Sequence, residues 1–195
     1  MLTFLMQKRN TIFIILAILV ILTIGVIIYN MVNKNITGKV ISNGSVKVLL
    51  HTNIGDIVIE LREDMPITAG NFKNLTKSGV YNGVIFHRVM AGFMIQGGDP
   101  TGTGYGDKRI PMIKDEFNGE QKNNRGTIAM ANAGPNTGSS QFFINLVDNN
   151  FLDGKHPVFG NVVQGMDVVD KIAKVETDSS DRPLSPVTII SAKVL

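Results

Sequence analysis

The chain contains no cysteine and no tryptophan, and only three histidines in 195 residues. Without cysteine there is no disulfide framework and no thiol to carry a lipoprotein anchor, although the absence suits either redox compartment. His51, His87 and His156 are scattered, and Asp99, Asp107, Asp115 and Glu116 follow no ligand spacing. That pattern argues against a zinc site. Excess positive charge is also missing from most of the chain. Lys8, Arg9 and Lys34 stand before residue 35 with no acidic residue among them. The remainder carries 16 bases against the 16 Asp and Glu of the whole chain. No basic patch remains that would favour a nucleic-acid partner.

Several motifs are incomplete in the same way. "GGDPTGTGYGDKR", from Gly97 to Arg109, is glycine-rich but lacks the Gly-Lys-Ser/Thr ending of a phosphate loop. No helical pattern follows it, so it reads as a flexible loop. Ser139 and Ser140 lie in "GSSQ", outside any Gly-x-Ser-x-Gly elbow, and His51, His87 and His156 are the only histidines available as a base. Serine hydrolysis needs that base and a third group to orient it. His87, near Phe86 and Val89, reads as a hydrogen-bonded structural histidine.

What is present begins with "IFIILAILVILTIGVIIY", residues 12–29, an uncharged apolar run. As a helix it spans about 27 Å, close to the roughly 30 Å hydrocarbon thickness. The run is longer than a signal-peptide core and no Ala-x-Ala follows, so an uncleaved transmembrane anchor is expected. A buried core helix fits less well, because the run is apolar on every face. The short tail with Lys8 and Arg9 is expected to stay in the cytoplasm, leaving the rest of the chain outside. Asn35 and Asn74 open Asn-x-Thr sequons that matter only in a glycosylating host.

The expected organisation is a tail and anchor over 1–32, a polar linker over 33–45 and one β-rich domain over 46–195. "VKVLLHTNIGDIVIELR", residues 46–62, reads as a hairpin turning at "TNIGD". "PITAGNFKNLTKSG", from Pro66 to Gly79, has the start and stop signals of a helix, with Ala69, Phe72 and Leu75 inward. Residues 80–163 alternate β-branched and aromatic runs with Gly, Asn and Pro clusters, as in an antiparallel barrel or sandwich. A second helix is expected over 166–175, with Met166, Val169 and Ile172 or Ala173 inward, and "SPVTIISAKVL" as the last strand.

Three blocks carry a resemblance: "FHRVMAGFMIQGGDPTGTG", "MANAGPNTGSSQFFI" and "FLDGKHPVFG". Together they resemble the cyclophilin-type peptidyl-prolyl cis–trans isomerases, in family order, over about residues 46–195. The resemblance implies a mainly β fold, an eight-stranded antiparallel barrel capped by two α-helices, here preceded by one transmembrane helix. It implies a proline pocket of Phe93, Met94, Phe143 and Leu152, with Phe151 beside it and His156 at its rim. Arg88 and Gln96 would stand over the reacting bond. Ala131, Asn132, Ala133 and Gln141 would hold the substrate backbone, near Gly102. The family needs no cofactor or metal, and its partners are proline-containing polypeptides. Many members carry Trp where this chain has Phe151, and that Trp contacts cyclosporin A partly through its indole N–H. Phe151 has no such donor, so weak cyclosporin binding is expected.

The lack of an acid–base pair fits that reaction. Rotating a peptide bond breaks its resonance, at a barrier of roughly 18–20 kcal/mol, and no proton or covalent bond is exchanged. A donor aimed at the amide nitrogen, such as Arg88, favours the twisted form over both planar ones. Taken singly, Phe93, Met94 and Phe143 read as core and Arg88 as a surface charge. Two functions are therefore weighed: an isomerase assisting the folding of exported or membrane-proximal proteins, and a catalytically weak tethered proline-binding module or chaperone. The intact Arg88 separates them and favours the enzyme.

Overall fold

The computed structural model describes residues 45–119 and 121–195. The anchor expected over 1–32, and the linker over 33–45 apart from Ser45, lie outside them. Among the described residues no helix is long and apolar enough to cross a membrane.

Alternation of apolar and polar residues in the first runs produces a hairpin. β1 (Lys47–Thr52) and β2 (Asp56–Leu61) pair from Lys47 opposite Glu60 to His51 opposite Asp56. Val48, Leu50 and Thr52 turn inward, as period two requires. The turn is closed by Thr52, whose hydroxyl donates to the Gly55 carbonyl at 2.6 Å and accepts from the Gly55 N–H at 3.0 Å. α1 (Thr68–Lys77) follows, two residues after Pro66. It ends in a Schellman motif, with Gly79 N donating to Thr76 O and Val80 N to Leu75 O, both at 3.0 Å. That geometry needs the left-handed φ of +73° that Gly79 supplies. Ala69 and Phe72 are buried, and Leu75 packs on the core from a half-buried position.

The remaining elements are β3 (Val84–Ile85), β4 (Arg88–Met90), β5 (Met94–Gly97), β6 (Thr127–Met130), β7 (Phe142–Asn145), a 3-10 turn (Asn150–Leu152), β8 (Val158–Gln164), α2 (Met166–Ile172) and β9 (Thr188–Val194). They form one antiparallel sheet in the order β3-β9-β1-β2-β8-β6-β7-β5-β4. The described residues thus hold nine strands where eight were expected. The reason lies at Phe86 and His87, which interrupt one run of chain. Phe86 N still donates towards the β9 side, to Val187 O at 2.9 Å, whereas Val89 N donates to Asp181 O at 2.7 Å. β3 therefore pairs with β9 and β4 with β5. These are the two ends of the sheet order, and only two residues separate them. The chain itself joins the edges of the curled sheet. Register shifts in the pairs β1–β9, β2–β8 and β6–β8 bend it on the way round.

The interior is aromatic. Phe72, Tyr81, Phe86, Phe142 and Phe159 are fully buried, and Phe142 takes the rings of Phe72 and Tyr81 edge-on at 5.4 and 5.6 Å. Burial pushes the Tyr81 hydroxyl pKa far up, and the hydroxyl donates to Ser140 O at 3.0 Å. α2 closes the sheet with Val168, Val169 and Ile172. Its N-cap is Gly165 at φ +87°, where a Cβ would stand 2.1 Å from the Asp56 carbonyl.

Two carboxylates fasten what helix propensity and turns do not. The N-terminus of α1 has no cap from its own segment; instead Glu116 accepts from Ile67 N and Thr68 N at 3.1 and 2.9 Å. The glycine-rich segment after β5 is not the flexible loop that its composition predicts, because Asp99 holds it. Fully buried Asp99 accepts from Thr101 N at 2.9 Å, Thr101 Oγ1 at 2.8 Å, Gly104 N at 2.7 Å and Gly106 N at 3.2 Å. Burial alone would raise the Asp99 pKa, but these donors outweigh it and hold the pKa below the usual carboxylate value.

Replacing Glu116 by Ala is expected to lower the unfolding free energy by about 1 kcal/mol, with a smaller loss for Glu116→Gln; denaturant titration measures both. Asp99 is ionised in the native state down to below its unfolded value of about 3.9. Its contribution is therefore complete above that value and is lost as pH falls through the lowered native pKa. Asp99→Asn should cost about 2 kcal/mol at neutral pH and flatten the acid limb of the stability curve, which thermal melts between pH 2 and 7 check.

Candidate active site

Residues opposite each other in an antiparallel pair project to the same face. Arg88 on β4 is opposite Gln96 on β5, Gln96 is opposite Phe143 on β7, and Phe143 is opposite Ala129 on β6. This row lies on the outer face. Its neighbours Val89, Ile95, Ile144 and Ile128 form the matching row on the inner face and belong to the main core. Strands apolar on both faces give a continuous hydrophobic run, and "FMI" and "FFI" are such runs.

The outer face carries its own small apolar cluster: Met94, Ala129, Phe143 and Val158, with Phe93, Met90, Ala131 and Leu152 packed against it. All four residues expected of the proline pocket are therefore together. Met94 and Phe143 are buried, and Phe93 and Leu152 are half-buried at the surface. His156 meets the Phe143 ring edge-on at 5.4 Å. Its Nδ1 donates to the Met130 carbonyl at 3.1 Å, an acceptor that fixes the tautomer. Phe151 is 63% exposed and stacks on Phe93 at 5.9 Å with the planes 19° apart.

A buried polar chain under this face holds the loops that carry those rings. Asn145 Nδ2 donates to Asn123 Oδ1 and Thr127 Oγ1, at 3.2 and 2.9 Å. Asn149 Nδ2 donates to Asn145 Oδ1 at 2.8 Å and to the Phe93 carbonyl at 2.9 Å. The turn bearing Phe93 is thereby tied to the one bearing Phe151 and Leu152. Sequence reasoning passed over Asn145 and Asn149, because neither stands in a motif and their partners are distant in the chain.

Beside the cluster lies a cleft of about 430 Å³, lined among others by Gln96, Ala131, Asn132, Ala133, Gln141, Gly104 and Tyr105. Gln96 Nε2 donates to Gln141 Oε1 at 2.9 Å, and Gln141 Nε2 to Gly104 O at 3.0 Å. Asn132 Nδ2 donates to Lys155 O at 2.8 Å, and Ala133 N donates to Thr137 Oγ1 at 2.8 Å. The residues expected in the backbone groove are thus brought together, with the exception of Gly102. Gly104 and Gly106 line the cleft in its place, and the Gly102 carbonyl accepts from Arg182 Nη1 at 2.8 Å. Asp107, also on the cleft wall, is held at a pKa of about 2 by the Arg109 guanidinium.

His87 departs from the expectation of a hydrogen-bonded structural residue. It is buried, but neither ring nitrogen has a partner among the described residues. Burial lowers its pKa, with the Arg182 and Arg88 charges acting in the same direction against the pull of Asp99. Arg88 is half-exposed, and its Nε lies 3.4 Å from Asp181 Oδ2. Among the described residues no group of His, Asp and Glu is arranged to hold a metal ion.

Residues 47–194 match the family described as cyclophilin type peptidyl-prolyl cis-trans isomerase/CLD. The peptidyl-prolyl cis-trans isomerase ppi1 of Schizosaccharomyces pombe is 51% identical over 155 residues, covering 76% of this chain and 98% of that protein. The human peptidyl-prolyl cis-trans isomerase-like 1 is 49% identical over 149 residues, covering 74% and 90%. A cyclophilin type isomerase from Cryptosporidium parvum has a crystal structure that superposes with a TM-score of 0.74 at 35% identity, covering 77% and 98%. The same protein in the presence of the dipeptide Ala-Pro gives 0.73 at 36% identity, covering 76% and 98%. The chain belongs to the cyclophilin-type peptidyl-prolyl cis–trans isomerases and is an enzyme that rotates X-Pro peptide bonds.

Proposed function

We propose that Arg88 supplies the transition-state contact of this isomerase, with the outer apolar cluster holding the proline ring. The observation that carries the reading is the row Arg88–Gln96–Phe143, three cross-strand partners on one face of paired strands. A proline ring against Phe93, Met94, Phe143 and Leu152, under the edge of His156, puts its peptide bond on the same face as the guanidinium. As the bond twists, the nitrogen recovers its lone pair, and an Arg88 N–H donates to it. Neither planar isomer offers that acceptor, so the contact lowers the barrier rather than only tightening binding.

One preorganised donor is worth about 3–4 kcal/mol, or two to three decades of rate. Clamping the chain on either side supplies orientation. Gln96, held by Gln141, keeps the polar side of the row in place, and Ala131, Asn132 and Ala133 offer backbone and amide groups to the residues before proline. The Ala-Pro dipeptide used with the Cryptosporidium parvum relative supports proline-containing peptides as partners here.

The place of action follows from the N-terminal run. The uncharged residues 12–29 and the basic tail before them support a single-pass anchor with the N-terminus in the cytoplasm and the isomerase domain outside. Its clients are then exported or membrane-proximal polypeptides that pass through slow prolyl isomerisation as they fold. Protease accessibility in sealed membrane vesicles tests the orientation.

In the full-length protein, Arg88→Ala should lower kcat for an X-Pro peptide about 100- to 1000-fold and leave peptide affinity within a few-fold, as measured by NMR exchange and titration. Equal losses in both would sink the transition-state role. Because Phe151 lacks the indole donor, cyclosporin A should inhibit weakly, and Phe151→Trp should tighten it by up to about tenfold, the worth of one hydrogen bond. Nanomolar inhibition of the native protein would overturn that expectation.

A further inference from the structure

We infer that Asp181 is a positioning residue for the isomerisation, setting the orientation of the Arg88 guanidinium from a loop 93 residues away in the sequence. The inference rests on the reading of Arg88 as the transition-state donor. Asp181 stands at the tip of a tongue between α2 and β9. The tongue is braced by its own ladder, with Leu184 N donating to Glu176 O at 2.9 Å and Asp178 N to Arg182 O at 2.8 Å, and with Thr177 bridged to Pro183. The Asp178 carboxylate accepts from Ser180 N and Arg182 N at 2.8 and 3.0 Å, which shapes the tip.

Two contacts lock this tongue onto the catalytic strand and the neighbouring loop. Val89 N donates to the Asp181 carbonyl at 2.7 Å, and Arg182 Nη1 donates to the Gly102 carbonyl at 2.8 Å. Backbone contact next to Arg88 brings the Asp181 side chain to its Nε edge, where Oδ2 sits at 3.4 Å. A guanidinium has a fixed fork. Engaging the Nε edge limits its swing and leaves the outer N–H groups for the substrate nitrogen. Asp181 is also one of two described non-glycine residues with positive φ, at +63°. The tip conformation is one that Asp and Asn adopt more readily than most residues.

The pair is half-exposed on both sides, and exposed pairs are individually weak. The expected effect is therefore modest and lies in the rate. Asp181→Gly keeps the left-handed backbone while removing the carboxylate, and Asp181→Asn keeps the backbone and an acceptor without the charge. In the full-length protein, Asp181→Gly should lower kcat about fivefold, equivalent to about 1 kcal/mol of barrier. KM should stay within twofold, and Asp181→Asn should fall between native and Gly. In the Arg88→Ala background the Gly substitution should change kcat no further.

NMR exchange rates and peptide titrations on the four proteins and the double variant decide it. A native kcat in Asp181→Gly, or a rise in KM with kcat unchanged, overturns the positioning role while Arg88→Ala still loses activity. The same fivefold loss in both backgrounds overturns it in favour of a general effect of the loop. Retained activity in Arg88→Ala itself overturns the underlying reading of Arg88, and this inference with it.

Discussion

The site depends on the register in which β4, β5 and β7 pair. Side chains alternate with period two, so the pairing that sends Val89, Ile95 and Ile144 into the aromatic core must send Arg88, Gln96 and Phe143 outward together. A slip of one residue on β5 would bury the Gln96 amide among Phe142 and Ile128 and expose Ile95. The core thus enforces the register, and the register assembles the site. The site inherits its stability from burial on the opposite face of the same strands.

The rigidity suits the reaction. Prolyl rotation has no covalent intermediate to stabilise, so the enzyme gains only from groups already in place when the bond twists. Here the apolar half is fixed by two-sided burial and the polar half by a short chain of amides, Gln96 to Gln141 to the Gly104 carbonyl. Behind the pocket, Asn145 and Asn149 spend amide hydrogens on partners at 2.8–3.2 Å, including the Phe93 carbonyl. Buried amides left unpaired would be costly, and paired they specify one loop arrangement.

Local features of the fold were legible in the sequence. The hairpin around "TNIGD", the helix ended by Gly79 and the helix after Gly165 each announce themselves within a dozen residues. The pocket was legible too, but through the resemblance of whole blocks: "FMI" alone cannot say which of Phe93, Met94 and Ile95 faces outward. Other features depend on residues far apart. Glu116 caps a helix 48 and 49 residues before it, and the ninth strand arises because Phe86 and His87 bend a run whose two ends pair with different partners. Asp99 was visible as a carboxylate among glycines. What hid its role was that its donors are mostly backbone N–H groups, which every residue carries.

Asp99 and Asp181 show how burial sorts two similar acids into different tasks. Asp99 is fully buried and surrounded by donors, so its oxygens are taken up in holding the glycine-rich loop. Asp181 keeps over a third of its side chain in solvent, and water screens the pair it makes. Such a carboxylate can contribute little to the stability of the fold. It can still orient, because orientation needs only that one arrangement of a long side chain be favoured over its other rotamers. A guanidinium that must meet a nitrogen for the brief life of a twisted bond gains from that preference in rate, where a stability measurement would register almost nothing.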